Sequence, residues 1–258
     1  MRVQVLASVM NQTMEKIAER MCLESDAVII NQCDRLGIEE MRYRGHEVRF
    51  YSFPDRGVGR SRNEAILRAD GDICLFADED IVYETGYAAA VAEEFEKNPD
   101  ADMILFNIIV DKDRQTYYIE ERKRVHWYNC GRYGAVSFAV RRESLLRSRV
   151  TFSLLFGGGA KYSNGEDSLF LKEFMDKGCK VYTAPVTIGR EVRDGESSWF
   201  SGYHEKFFRD RGVLYRQLYG SMSGVMALRF LLTHKKKLCG EISLKRAYGL
   251  MRAGMKTG

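Results

Sequence analysis

Proline is scarce: three occur in 258 residues. No proline-rich linker divides the chain, and regular helix and strand are free to form almost throughout. Six cysteines are present, and no two stand as a Cys-x-x-Cys pair. That removes sequence support for a zinc ribbon or a thioredoxin-like redox site and leaves reduced, mostly buried thiols as the reading. No apolar run reaches the roughly 20 residues that a membrane-crossing helix needs. Internal repeats and low-complexity runs are absent. Nothing resembling a leader precedes the first strand-like run, so the expectation is a cytoplasmic protein.

What is there is an ordinary globular composition, 45% hydrophobic and 29% charged, with length for one sizeable core. The net charge of +4 is unevenly placed. From Met222 onward there are eight basic residues and one acid, so the remainder of the chain is slightly acidic. A nucleic-acid binder would need basic residues mixed with aromatics over a face of the main domain. That face is missing, and nucleic acid is not an expected partner.

Strand-like runs at 3–9, 27–30, 48–53 and 73–77 alternate with helical patterns. A helix is expected over 63–68, stopped by Asp70-Gly71-Asp72, and another over 84–97. Strands follow at 103–110, 135–140 and 179–183, with helices over 142–147 and 165–177 and a largely helical pattern beyond 197. The glycines at 157–159 read as a mobile loop. The alternation predicts an α/β fold with a mostly parallel central sheet and helices on both faces. We expect a main domain over 1–215 and a basic helical extension over 216–258.

In such sheets ligands bind beyond the carboxyl ends of the strands. At one such end the run Leu75-Phe76-Ala77 stops at Asp78, Glu79 and Asp80. Two site chemistries fit. In the first, Gly57-Val58-Gly59 between a strand and a helix, with Asp78 about 20 residues on, partly matches a dinucleotide fingerprint. The third glycine position, however, holds Arg62, and one acid would suffice for a ribose. In the second, Asp78 and Asp80 hold Mg²⁺ or Mn²⁺ through hard oxygen ligands, with substrate phosphates completing the shell. Arg56, Arg60 and Arg62 beside a helix start favour anions such as phosphate. A metal-binding acid cluster beside a cationic turn suits a nucleoside-diphosphate substrate. A solvated acidic turn beside a basic helix face is the bland alternative.

The stretch GVGRSRNEAILRADGDICLFADED resembles the donor segment of the family 2 glycosyltransferases of GT-A fold. It has a glycine turn, an Arg-Asn pair opening a helix, an Ala-x-Gly-Asp break and a strand ending in Asp-x-Asp. Asn164-Gly165-Glu166-Asp167-Ser168, ahead of a helix, resembles the family's Glu-Asp motif. The resemblance spans roughly residues 3–185. It departs from the family pattern at Asn31-Gln32-Cys33-Asp34, where a nucleotide-contacting Asp is usual, and near Gly189-Arg190, where a histidine is missing; His204 is a weak substitute.

The resemblance implies an inverting transfer of a sugar from a nucleotide-diphosphate sugar, most simply a UDP-sugar, to an acceptor hydroxyl. Asp167 would be the base, and Glu166 would orient the acceptor or the loop. Ser8, Asn31, Arg60, Asn63, Asp78 and Glu79 would face the donor, with Arg62 aiding Arg60. Asp78 and Asp80 would hold Mn²⁺ or Mg²⁺. Trp127, Tyr128, Trp199 and Tyr203 are candidates for the acceptor side, where sugar faces stack on aromatics. A lipid-linked saccharide acceptor, as in bacterial capsule or exopolysaccharide assembly, is the family's common role. The apolar run 222–233 and the basic run after it suggest a helix on an anionic membrane surface, and equally a helix that packs within the molecule or pairs two copies. Two other functions stay open: a sugar nucleotidyltransferase, and a non-catalytic nucleotide-binding subunit of a transferase pair.

Overall fold

The computed structural model describes residues 1–257 apart from 112–114, 116, 193–201 and 239–241. The chain opens with β1 (Val3–Met10), α1 (Met14–Arg20) and β2 (Asp26–Gln32). The hairpin β3 (Gly37–Tyr43) and β4 (His46–Phe53) follows, then α2 (Val58–Arg68), β5 (Ile73–Asp78), β6 (Ile81–Tyr83) and α3 (Tyr87–Lys97). Next come β7 (Met103–Ile109), β8 (Phe138–Arg141), α4 (Arg142–Ser148), α5 (Glu166–Asp176) and β9 (Val181–Glu191). Helices α6 (Glu205–Tyr219), α7 (Ser223–Thr233), α8 (Lys235–Leu238) and α9 (Leu244–Met255) complete the order.

The strands form one sheet in the order β3-β4-β2-β1-β5-β8-β7-β9-β6. The stretch β4-β2-β1-β5 is parallel throughout. β7 and β9 are also parallel, while β3, β8 and β6 pair with their neighbours in the antiparallel sense. The sheet is therefore mixed, with its parallel part where the alternating pattern lay.

Side-chain alternation assigns the two faces. Val5, Ala7 and Val9 of β1 and Ile29 of β2 join α1 and α3 residues such as Ile17, Val91 and Phe95 in one core. Leu6, Val28 and Phe76 join Ala65 of α2, Leu145 of α4 and Phe170 of α5 in the other. Two strands escaped the sequence pattern. β3 carries Glu39, Glu40 and Arg42 because it is a sheet edge, where charge guards against stray pairing. Its turn, Arg44-Gly45, has φ of +50° and +87°, the left-handed backbone that a two-residue hairpin requires. β6 is three residues long and gives no periodic signal. β9 is longer than expected and passes through Pro185, beside a register break against β7.

A third core holds the C-terminal helices together, through Phe208, Leu214, Leu231 and Met251. At the α6–α9 crossing, Cβ atoms added at Gly212 and Gly254 would stand 2.1 Å from the carbonyls of Met251 and Arg209. Only glycine permits this approach. Residue 215 lies within α6, whose Phe208, Val213 and Leu214 belong to this third core.

Candidate active site

The acid triplet forms the corner between β5 and β6. Asp78 ends β5 and is in register with Ser8 on β1. It projects to the same face as Phe76, the face covered by α2 and α5. There Arg62 of α2 meets it: Nη2 donates to Asp78 Oδ1 at 2.9 Å and Oδ2 at 3.1 Å. Nη1 of the same guanidinium donates to Asp167 Oδ1 at 2.7 Å and Glu166 Oε1 at 3.2 Å. Arg62 is only 3% exposed, and its guanidinium lies 5.3 Å from the Phe152 ring centre. One buried cation thus binds three carboxylates from two separate parts of the chain. Burial works against its charge, but Asp78, Asp167 and Glu166 together hold its pKa above the ordinary arginine range.

This differs from the expected phosphate-facing role for Arg62. The signal was in the sequence: Arg62 shares the buried stripe of α2 with Ala65 and, one turn on, Ala69. A charge on an apolar stripe calls for a buried partner.

Glu166 and Asp167 open α5, after Gly165 at φ +124°. A Cβ at Gly165 would stand 2.6 Å from the Leu214 side chain, so glycine is required there for space as well as conformation. A helix N-terminus favours ionised carboxylates, yet burial dominates and raises both pKa values, against the opposing charge of Arg62. Asp167 keeps 24% of its side chain exposed, while Glu166 keeps 11% and accepts from the Gly165 N–H at 3.1 Å. Asp167 is the more open of the two, with its basicity enhanced.

Asp80 is half-buried, and its pKa is pushed up to about 7 by burial, then by Asp78 and Glu191. Like charges crowd this corner, and the donors are all hard carboxylate oxygens, a set that fits a divalent cation. Among the described residues, no three His, Cys, Asp or Glu side chains form a closed metal cage. An ion here would draw on ligands from outside the protein.

The other sequence candidates occupy supporting positions. Glu79 Oε2 accepts the Met10 N–H at 2.8 Å and so fixes the end of β1. Asn31 is buried, accepting from Gln12 N at 3.0 Å and donating to Gln12 O and Ser52 Oγ. Ser8 Oγ bonds Ser61 Oγ at 2.8 Å and joins β1 to α2. Asn63 pairs with the backbone of Phe152 in both directions, at 2.9 and 2.7 Å. Arg60 is half-exposed and pairs with Asp55 at 2.6 Å. The glycine loop expected to be mobile is anchored: Gly158 O accepts from Val58 N at 3.1 Å, and Gly157 N donates to Tyr162 O at 2.9 Å.

On the other side of Asp167 runs the segment 127–135. A Cβ at Gly134 would stand 3.6 Å from Asp167 Oδ2, and one at Gly131 would be 3.3 Å from the Tyr219 hydroxyl. Trp127 and Tyr128 begin this segment and are 46% and 50% exposed. Tyr203 packs its ring against Phe207. His204 precedes α6, with Nδ1 2.8 Å from Gly202 O. Trp199 and the loop around it lie outside the described residues.

Comparison with solved structures places this architecture. S. aureus TarS residues 1–349, in complex with UDP-GlcNAc, superposes with a TM-score of 0.62 at 15% identity, over 92% of this chain and 73% of that one. The mannosyltransferase PcManGT from Pyrobaculum calidifontis, in complex with GDP-Man and Mn²⁺, gives 0.55 at 16% identity, over 99% and 74%. These likenesses define the class by fold: an α/β protein of the GT-A glycosyltransferase type. The family model for glycosyl transferase family 2 matches residues 4–150, and the chain belongs to that family. It is a glycosyltransferase. No curated protein sequence matches it.

Proposed function

We propose that this protein is an inverting glycosyltransferase that takes a sugar from a nucleoside-diphosphate sugar, most simply a UDP-sugar, and places it on an acceptor hydroxyl. The observation that carries the reading is the shared guanidinium of Arg62. It brings Asp78, at a strand end suited to a donor diphosphate, beside Asp167, at the start of a helix 89 residues later. TarS and PcManGT, which share the fold, are seen with UDP-GlcNAc and GDP-Man.

Asp78 and Asp80 would hold Mn²⁺ or Mg²⁺, and the ion, when bound, supplies Lewis-acid neutralisation of the departing diphosphate. Asp167 accepts the proton of the acceptor hydroxyl as that oxygen attacks the anomeric carbon. The bond from that carbon to the phosphate oxygen breaks, and its electron pair leaves with the diphosphate. Attack from the face opposite the leaving group inverts the configuration. Arg62 holds Asp167 in place, Glu166 orients the acceptor, and raised basicity from burial suits Asp167 to the task. Asn31, Asn63 and Glu79 act on the donor side by fixing the backbone around the strand ends, Ser8 by tying β1 to α2 through Ser61, while Arg60 would meet the donor phosphate from solvent. The acceptor would be a saccharide, lipid-linked in bacterial surface polysaccharide synthesis, with the enzyme cytoplasmic and peripheral at the inner face of the membrane.

A thermal-shift series with UDP-, GDP- and CDP-sugars, with and without Mn²⁺, tests the donor. Stabilisation by one nucleotide class, enhanced by Mn²⁺, is expected; no shift with any of them would overturn the reading. Product analysis separates the rival chemistry, since a transferase releases the nucleoside diphosphate and a nucleotidyltransferase releases pyrophosphate. Asp167→Asn is expected to keep nucleotide binding and lose at least about a hundredfold in transfer. Full turnover in that variant would remove Asp167 from the base role.

A further inference from the structure

We infer that the exposed face of α7, together with Trp127 and Tyr128, is a docking surface for an anionic lipid bilayer, set so that the bilayer lies on the acceptor side of Asp167. This deepens the lipid-linked acceptor proposed above and rests on that reading only for its consequence, not for the binding itself.

Helix α7 is two-sided. Ser223, Ala227 and Leu231 are buried against the C-terminal helices, at a spacing of four. On the other side Met222, Val225, Leu228 and Leu232 lie 40–62% exposed. Four large apolar side chains in one row along a surface helix mark a contact face rather than scattered exposure. Arg229 within α7 and Lys235 just after it are exposed, as is Arg216 in the last turn of α6, and no Asp or Glu occurs from 211 to 240. From 211 to 257 the chain has ten basic residues and one acid, whereas the rest of the chain is acidic on balance. An apolar row whose own stretch of chain carries cations and no acid is the pattern of a helix that lies in the plane of an anionic membrane. No helix among the described residues is long and apolar enough to cross a membrane, so the contact is superficial.

The row continues beyond α7. The ring of Tyr219, three residues before Met222, lies 6.4 Å from the Trp127 ring. Trp127 and Tyr128 are half-exposed, and such amphipathic rings settle at the bilayer–water interface. The same segment then runs inward past Gly131, beside the Tyr219 hydroxyl, to Gly134, beside Asp167 Oδ2. A bilayer seated on this face would meet the molecule at the mouth of the base. A lipid-anchored hydroxyl would approach Asp167 from there, while a water-borne donor enters at the strand ends.

Charge decides the occupant. A two-fold pair of copies would set the same patch against itself, cation facing cation, with no acid on the helix to relieve it. Anionic lipid supplies the missing sign.

The test uses the full chain and sedimentation with vesicles. Phosphatidylcholine vesicles containing phosphatidylglycerol, whose surface potential is negative, are compared with pure phosphatidylcholine vesicles. Binding to the anionic vesicles, weakened by high salt, is expected. Loss of each cation in Arg229→Gln and Lys235→Gln should lower partitioning about fivefold. The triple substitution Val225→Ser, Leu228→Ser, Leu232→Ser should lower it at least about tenfold, with transfer to a soluble acceptor unchanged. With Trp199→Phe in place, Trp127 is the remaining indole, and its emission should shift to the blue on binding. Equal partitioning to both vesicle types, or wild-type binding by the triple variant, would overturn the inference. So would a dimer in solution that the triple substitution dissociates. Because partitioning needs no turnover, its failure would leave the transferase reading untouched, and the reverse also holds.

Discussion

Replacing Arg62 with methionine isolates what the buried guanidinium does. Methionine occupies a similar elongated volume and can still pack on Phe152, so the change is chiefly electrostatic. Three carboxylates, Asp78, Glu166 and Asp167, would lose their shared cation. Removing one partner of a buried ionic cluster costs about 3–5 kcal/mol, because the remaining charge stays desolvated. In a protein of this size each kcal/mol moves Tm by about 2–4 °C. Arg62→Met should therefore melt about 10 °C below wild type at pH 8.

The pH dependence separates lost charge from lost packing. Burial already raises the Glu166 and Asp167 carboxyls, and Arg62 is what opposes it; without Arg62 these two acids titrate higher still in the folded chain. The folded variant then binds more protons, so its stability rises as pH falls. The Tm deficit should narrow between pH 8 and pH 5, whereas a packing defect would leave it constant. Differential scanning calorimetry at the two pH values reads this directly. Arg62→Lys keeps a charge but cannot bridge Asp78 and Asp167 with two planar donor groups. It should keep most of the stability and lose turnover far more than donor affinity, in an assay of released nucleoside diphosphate. A methionine variant with wild-type Tm and wild-type turnover would refute the account of the site built on Arg62.

Three further outcomes are expected. Asp80→Asn should weaken Mn²⁺-dependent UDP binding at least about tenfold, read by titration calorimetry, while metal-free binding stays the same; unchanged Mn²⁺ dependence would remove Asp80 from the ligand set. Asp102 accepts from Ser144 Oγ at 2.5 Å and Lys180 N at 2.7 Å and pairs with Arg147; although burial opposes it, these bonds hold its carboxyl below the usual range. Its stabilising effect is present above the unfolded-state pKa and disappears as pH falls through the folded one, so Asp102→Asn should lower Tm at pH 7 and have little effect near pH 3. Gly212→Ala would press a methyl group against the Met251 carbonyl 2.1 Å away, and it should separate α9 from α6, seen as faster proteolysis of the C-terminal helices with β-sheet circular dichroism retained.

The sequence made some features legible because their signals are local. The near-continuous apolar runs at 3–9 and 73–77 reported strands with both faces covered, and Asp78 at the end of one of them pointed to the carboxyl edge of the sheet. Gly165-Glu166-Asp167 reported a helix start, which α5 bears out. β3 and β6 were missed for opposite reasons: one carries the charge of an edge, the other is too short for any period to show. The mixed direction of the sheet was also hidden, because strand direction depends on which strands become neighbours. β8 lies between β5 and β7 and runs against both.

The division of labour among the polar residues was hidden for a further physical reason. A polar side chain near a strand end can face a ligand or satisfy the backbone beside it, and residue type does not distinguish the two. Asn31, Glu79 and Asn63 each take up backbone groups: those of Gln12, Met10 and Phe152. These bonds fix three segments that would otherwise leave polar groups unpaired near the strand ends. Arg62 illustrates the converse. It reads as one of a row of solvent-facing cations, yet it occupies the buried stripe of α2, where only a cluster of acids makes its charge tolerable. A turn with Arg60 and Arg62 two residues apart therefore combines two electrostatic functions: an outward cation facing solvent and an inward one aligning the acids. Substituting the outward arginine should change the salt dependence of donor binding, and substituting the inward one should change the chemical step. The two residues are close in sequence but belong to different terms of the reaction free energy.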